Sequence, residues 1–363
     1  IVSYPEFLFQ QTENKKRIVI AGSHGKTTTT AMILHVLKNL NYKFDYMVGS
    51  QIEGFENMVG LSDDAPIAVF EGDEYLSSPI DRRSKFLWYK PDIAVITGIE
   101  WDHINVFPTF AGYVNAFKEF VESVSSDGKV FWFRNDKVLE QMIVSANIKA
   151  EDFSYEGFDW EREDTYCTFN YSGQKYKSPL FGNHNYQNMN AAFLVCEELG
   201  VNKTDFFRAM ETFKGASRRL QTILEAKNPV FYDFAHAPSK AKATVAAVKK
   251  MYPHQKVVAC YELHTFSSLN KEFIPHYKGT LKDADAAFVY YNREVLNHKK
   301  MPELDTDFVS RCFNHPNIQI ANDNQLLFNT LSEEWKNGAV ILLMSSGNFS
   351  GFDPATWATT LHV

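Results

Sequence analysis

Ile18-Val19-Ile20-Ala21-Gly22-Ser23-His24-Gly25-Lys26-Thr27-Thr28 decides the fold. The apolar run reads as a buried strand, and Met32, Ile33, Val36 and Leu37 beyond it recur with helical spacing. A strand that turns through glycines into a helix N-terminus makes a pocket of main-chain N–H groups for phosphate. Lys26 supplies a point charge for terminal phosphates and Thr27 a hydroxyl for Mg²⁺. The usual spacing puts a further glycine where Ile20 stands, so this is a shortened loop, G-x-x-G-K-T-T. Gly22, Ser23, His24, Gly25, Lys26, Thr27 and Thr28 are therefore the expected nucleotide-binding residues.

Working outward, strands are expected at 17–21, 66–70 and 91–97, with helices at 27–40 and 109–124. This alternation implies βαβ units and a mostly parallel sheet. Strands at 129–133 and about 164–170 extend it, and the polar, turn-rich stretch 151–178 reads as an antiparallel excursion. A helix runs from Asn185 to Glu198, stopped by Gly200. A second series then pairs strands 229–233, 256–260, 285–290 and 339–344 with helices near 238–250 and 322–336. The expected fold is α/β: a P-loop nucleotide-binding domain with a mostly parallel sheet, then a Rossmann-like C-terminal α/β domain. The boundary is expected near Lys214-Gly215-Ala216-Ser217.

Composition narrows the function. A chain of 363 residues exceeds what one core usually serves. A net charge of −7 argues against a general nucleic-acid or membrane binder. Cys167, Cys196, Cys260 and Cys312 form no C-x-x-C pair and read as buried free thiols of a reducing compartment. No apolar run approaches the ~20 residues of a membrane span. No basic-then-apolar leader is present either, so a cytoplasmic protein is expected.

Two acidic segments follow strands. Ile67-Ala68-Val69-Phe70 ends in Glu71-Gly72-Asp73-Glu74, at the face where open α/β sheets bind ligands. Glu71, nearest the strand end, is the expected Mg²⁺ ligand; Asp73 and Glu74 suit either a metal or a solvated turn. Beyond the third strand, in Gly98-Ile99-Glu100-Trp101-Asp102-His103, His103 could bind a second metal or a phosphate, or be structural.

These motifs together resemble the Mur ligases, ATP-dependent amide-forming enzymes of peptidoglycan synthesis. Later segments agree. Gly182-Asn183-His184-Asn185-Tyr186-Gln187-Asn188 is similar to the family's adenine-side motif, and Gly215-Ala216-Ser217-Arg218-Arg219-Leu220 to the arginine motif closing the central domain. Asp233-Phe234-Ala235-His236-Ala237-Pro238 is similar to the start of the C-terminal domain. Within the family, Glu74-Tyr75 through Asp81-Arg82-Arg83-Ser84-Lys85-Phe86 most resembles the murein peptide ligase branch. That branch joins L-Ala-γ-D-Glu-meso-diaminopimelate to UDP-N-acetylmuramate in peptidoglycan recycling.

The resemblance implies ATP and Mg²⁺ as cofactors, and UDP-N-acetylmuramate and the murein tripeptide as substrates. The lactyl carboxylate would be activated as an acyl phosphate and then attacked by the peptide amine. Lys26, Glu71, His103 and Arg219 would be catalytic, and Thr27, Glu71 and His103 would bind metal. His184, Asn185, Asn188, Arg219, Asp233 and His236 would complete the nucleotide site. It further implies a linker over 1–16 from a preceding domain, a central domain over 17–216 and a C-terminal domain over 217–363. A monomer or weak homo-oligomer is expected. Gly98 stands where the family usually has asparagine, and His264 where relatives have arginine. Lys118 lies at the spacing from His103 at which several Mur ligases carry a carbamylated lysine, though the nearest branch does not use one, and it also fits a solvated helix position. Alternatives are a UDP-N-acetylmuramate–L-alanine ligase, a folylpolyglutamate synthase-like ligase or a non-catalytic ATP-binding module. The Ser345-Ser346-Gly347-Asn348-Phe349 turn suits either the incoming peptide or a plain strand-to-loop turn.

Overall fold

Two hydrophobic cores organise the chain, one in each of two compact units, Ile1–Ser217 and Arg218–Val363. The structure is a computed structural model describing residues 2–101, 106–163, 166–213, 215 and 220–361.

The first unit begins with helix α1 (Tyr4–Gln11), where a linker was expected. Ser3 and Glu6 form a reciprocal capping box with Pro5 in the first turn, and Leu8 is buried. The signal was in the sequence, as Ser-x-x-Glu around a proline. Strand β1 (Lys16–Ala21) leads into α2 (Lys26–Asn39), then β2 (Phe44–Met47), β3 (Val59–Gly60) and β4 (Ile67–Glu71). Next come β5 (Ile93–Ile96), α3 (Phe110–Glu122), β6 (Lys129–Phe133), α4 (Lys137–Ser145) and β7 (Glu151–Tyr155). These strands form one seven-stranded sheet, ordered β3-β2-β4-β1-β5-β6-β7. All its pairings are parallel except β2 with β3. Ile18 to Ala21 are fully buried, as a central parallel strand covered on both faces requires.

β4 and β5 flank β1 on opposite sides, so the chain reverses direction across the sheet at β1. In open α/β sheets, ligands bind at the carboxyl ends of the strands beside such a reversal.

Two expectations need correction. Residues 151–155 are a parallel edge strand of the main sheet, not part of an antiparallel excursion. Conversely, the strand expected near 164–170 does not extend that sheet. It is β9 (Cys167–Tyr171), which with β8 (Trp160–Arg162) and β10 (Gln174–Ser178) makes a separate antiparallel sheet. In its outer strand β10, Tyr176 and Ser178 are buried and Lys175 and Lys177 exposed, which suits a two-faced sheet with one dry side. Helices α5 (Asn183–Glu198) and α6 (Lys203–Met210) close the unit, and both pack on α2.

His35 on α2 ties that packing together. Its Nε2 lies 2.9 Å from Ala209 O and 3.1 Å from Thr212 Oγ1, with its ring edge-on to Phe213. Burial lowers its pKa below the ordinary 6.5, against the Ala209 carbonyl and Glu53, with Lys38 adding to the lowering. Below 6.5 the unfolded chain therefore binds more protons at this site than the folded one, and stability falls as pH drops. His35→Gln should lose less thermal stability than the parent when pH is lowered through that value. Equal losses would refute the assignment.

The second unit holds β11 (Gln221–Leu224), β12 (Val230–Asp233), α7 (Pro238–Met251), β13 (Val257–Glu262) and β14 (Ala286–Tyr290). It continues with α8 (Arg293–His298), α9 (Thr306–Phe313), β15 (Ile318–Ala321), α10 (Asn324–Lys336), β16 (Val340–Met344) and α11 (Pro354–Thr360). The six strands order as β11-β12-β16-β13-β14-β15, parallel except β11. The expected α/β class with mostly parallel sheets holds in both units. All four cysteines carry free thiols; Cys167, Cys196 and Cys260 are buried, whereas Cys312 is only partly so.

Candidate active site

Glycine geometry shapes the loop between β1 and α2. Gly22 has φ +131° and Gly25 φ +81°, values that L side chains rarely adopt. A Cβ at Gly22 would collide with Thr97 Oγ1 and stand 3.0 Å from Thr97 N; one at Gly25 would strike Asn188 Oδ1. Gly25 is the N-cap of α2 and no side chain caps that helix, so its first N–H groups face a ligand position. Ser23 N donates to Gly98 O at 2.9 Å, and the Thr97 hydroxyl to the main-chain oxygens of Ala21 and His24, pinning the loop to the end of β5.

Lys26 and Thr27 then meet the acidic turn after β4. Lys26 Nζ lies 2.8 Å from Glu74 Oε2, and the Thr27 hydroxyl donates to Glu71 Oε1 at 2.8 Å. Gly49 N donates to the other Glu71 oxygen at 2.9 Å. Burial alone would lower the Lys26 pKa, but Glu74, with Asp73 and Glu71 behind it, more than offsets this and raises it. Thr28 is buried in the same first helical turn. Glu74 is fully buried, so the solvated-turn reading fails for it; Asp73 pairs with Lys85 at 2.6 Å.

The segment after Glu74 is laced to itself. Arg83 grips Asp81 through two nitrogens at 2.9 and 3.0 Å and lies 4.0 Å over the Trp88 ring, while Trp88 Nε1 also donates to Asp81. Hydrogen bonds from Arg83 hold the Asp81 pKa at about 2. Gly98 has φ +145°, which disfavours the asparagine usual in the family.

α5 brings Asn188 and Gln187, from the segment expected on the adenine side, against the loop. Asn188 abuts Gly25, Gln187 Nε2 donates to Thr97 O at 2.6 Å, and Asn185 Nδ2 donates to Phe181 O at 2.8 Å. His184 sits in the first turn, half-buried. His103 and Arg219 lie outside the described residues, as do Asp102 and Arg218. Among the described residues no group of three His, Cys, Asp or Glu is arranged for a metal. Lys118 is half-buried on α3.

In the second unit, Asp233 ends β12 and accepts from the Thr244 hydroxyl and, at 3.3 Å, from Leu220 N. His236 Nδ1 lies 2.9 Å from Phe234 O. At the ends of β13 and β16, His264 stands 3.8 Å from the buried Glu262 carboxylate. Burial raises the Glu262 pKa, against Ser345, the Phe349 amide and His264. A Cβ at Gly347 would come within 2.6 Å of His264 Nδ1.

Comparison with known proteins now decides the family. Residues 20–196 match the Mur ligase middle domain, and residues 218–347 the Mur ligase glutamate ligase domain. The chain belongs to the Mur ligase family. Mur ligases are ATP-dependent ligases that form amide bonds in peptidoglycan synthesis. This Mur ligase chain is 29% identical, over 96% of its length and 75% of the relative's, to a UDP-N-acetylmuramate–L-alanine ligase of Christiangramia forsetii. Its fold is similar to a murein peptide ligase from Psychrobacter arcticus (TM-score 0.67, 22% identity, 99% of this chain and 80% of that one). It is similar too to a MurF ligase from Thermotoga maritima in complex with ADP (TM-score 0.74, 17% identity, 98% and 82%). Among the described residues no helix is long and apolar enough to cross a membrane.

Proposed function

We propose that this chain activates the lactyl carboxylate of UDP-N-acetylmuramate with ATP and joins it to L-Ala-γ-D-Glu-meso-diaminopimelate, in cytoplasmic peptidoglycan recycling. The observation carrying the ATP-dependent step is the Thr27–Glu71 contact beside Lys26, at the carboxyl ends of β1 and β4. Both are hard oxygen donors within 2.8 Å of each other, which fits Mg²⁺, and the Cβ-free cradle of Gly22 and Gly25 fits phosphate. Mg²⁺ held there would neutralise charge on the transferring phosphoryl oxygens.

The reaction balances as follows. A carboxylate oxygen attacks the γ-phosphorus and ADP leaves, giving an acyl phosphate. The peptide amine attacks that carbonyl carbon, loses a proton, and phosphate departs with the former carboxylate oxygen. Such transfer needs positioning and charge neutralisation above all. Lys26 meets the terminal phosphates, the α2 N–H groups hold them, and Asn188 with His184 and Asn185 frames the adenine side. His103 would add a second metal contact.

The strap from Glu74 to Phe86 supports the tripeptide as acceptor substrate. The naming of relatives such as the C. forsetii protein supports a second reading, in which L-alanine is the substrate. Product mass separates them. With Mg-ATP, UDP-N-acetylmuramate, and L-alanine and tripeptide in equal amounts, the tripeptide adduct should dominate. An alanine adduct alone would move the assignment to the second reading.

Glu71→Gln should raise the Mg²⁺ concentration giving half-maximal ADP formation by about tenfold or more, because a neutral amide binds a hard cation poorly. An unchanged Mg²⁺ requirement would remove Glu71 from the metal site.

A further inference from the structure

The Glu74 carboxylate is fully buried, and its hydrogen bonds are separate from the Thr27–Glu71 contact. One of its oxygens takes Lys26 Nζ at 2.8 Å and the other takes the Tyr113 hydroxyl at 3.2 Å. Tyr113 is also fully buried, and its hydroxyl lies 2.8 Å from Ser23 Oγ, which accepts from Glu100 N at 2.7 Å. An ionised carboxylate can only accept. The direction of the whole chain is thereby fixed: Glu100 N–H to Ser23, Ser23 O–H to Tyr113, Tyr113 O–H to Glu74. Aligned hydrogen bonds of this kind polarise one another in a dry interior.

We infer that Glu74 is a positioning residue: braced by Tyr113 and Ser23, it holds the Lys26 ammonium in place for the terminal phosphate of the nucleotide. An ammonium has three N–H donors. Glu74 takes one and Gly22 O another, which leaves a single N–H whose direction the first two determine. Without Glu74 the flexible lysine stem would have one anchor, and the phosphate would have to order it on binding. Tyr113 extends the brace to two loops, because Ser23 belongs to the phosphate loop and Glu100 to the loop after β5. Composition alone carries no trace of this brace.

The inference rests on the nucleotide reading of the loop, and the test separates the two. Calorimetry would compare Mg-ADP with a non-hydrolysable Mg-ATP analogue on the parent chain, Glu74→Gln, Tyr113→Phe, Lys26→Ala and the Lys26→Ala/Glu74→Gln double variant. Glu74→Gln is isosteric and Tyr113→Phe keeps the ring, so folding is checked by an unchanged circular dichroism spectrum. Glu74→Gln should weaken the ATP analogue about tenfold and ADP by less than about threefold, with Tyr113→Phe between it and the parent. On the Lys26→Ala background, Glu74→Gln should cost nothing further.

Unchanged or tighter analogue binding by Glu74→Gln would overturn the role, the tighter case meaning that Glu74 competes with phosphate for Lys26. Additive losses in the double variant would overturn it as well, by placing Glu74's effect elsewhere. A harmless Tyr113→Phe would overturn the brace. A parent chain that binds neither nucleotide would take down the nucleotide reading and the inference together.

Discussion

Lys26→Ala should slow single-turnover ADP formation by about a thousandfold while the fold survives. The side chain is only 14% exposed, so water cannot stand in for the lost charge at the terminal phosphate. Its neighbours make the loss larger. With Lys26 gone, the buried Glu74 carboxylate loses its countercharge beside the proposed phosphate position. Lys26→Arg should not rescue the rate, because a planar guanidinium cannot reproduce a compact ammonium held between Gly22 O and Glu74. Rapid-quench measurement of ADP reads both variants. A loss under about tenfold for Lys26→Ala would mean the lysine does not meet the transferred phosphoryl group.

Gly22→Ala is expected to be the most damaging of the small substitutions to stability. The added Cβ meets Thr97 Oγ1 and also main-chain atoms, Thr97 N at 3.0 Å and Gly98 O at 3.1 Å, which cannot rotate away. Strain at φ +131° adds to this. Together they should cost about 3 kcal/mol, which for a unit of this size lowers Tm by about 6–12 °C. Gly173→Ala is the control: φ is +75°, yet nothing lies within 4 Å of the new Cβ. It should cost only about 1 kcal/mol, the price of left-handed backbone alone. Equal Tm losses in a thermal melt would show that packing against Thr97 and Gly98 contributes nothing.

The parallel cores were legible because covered strands are apolar throughout, as in Ile18 to Ala21 and Val340 to Met344. The strands that escaped notice lie at a sheet edge or next to one. β2 alternates partly buried and buried residues over only Phe44–Met47, and most of Glu151–Tyr155 is exposed, so neither carries a continuous apolar run. The phosphate loop, Glu71 and Asn188 were legible by motif, and the structure brings them together. Glu74 was not, because a carboxylate in a turn looks the same in sequence whether solvated or buried under a tyrosine. Gly49 N and Thr97 were missed for a related reason: main-chain donors and loop-pinning hydroxyls leave no pattern in residue types.

The central claim is that ATP activates a carboxylate by phosphorylating it, and oxygen tracing tests that most directly. UDP-N-acetylmuramate labelled with ¹⁸O in its lactyl carboxylate would be turned over with Mg-ATP and the amine substrate, and the released phosphate analysed by mass. Transfer of one ¹⁸O into each phosphate, in step with amide formation, is the predicted result. Phosphate released without label would mean that ATP is hydrolysed by water and that no acyl phosphate forms at this site.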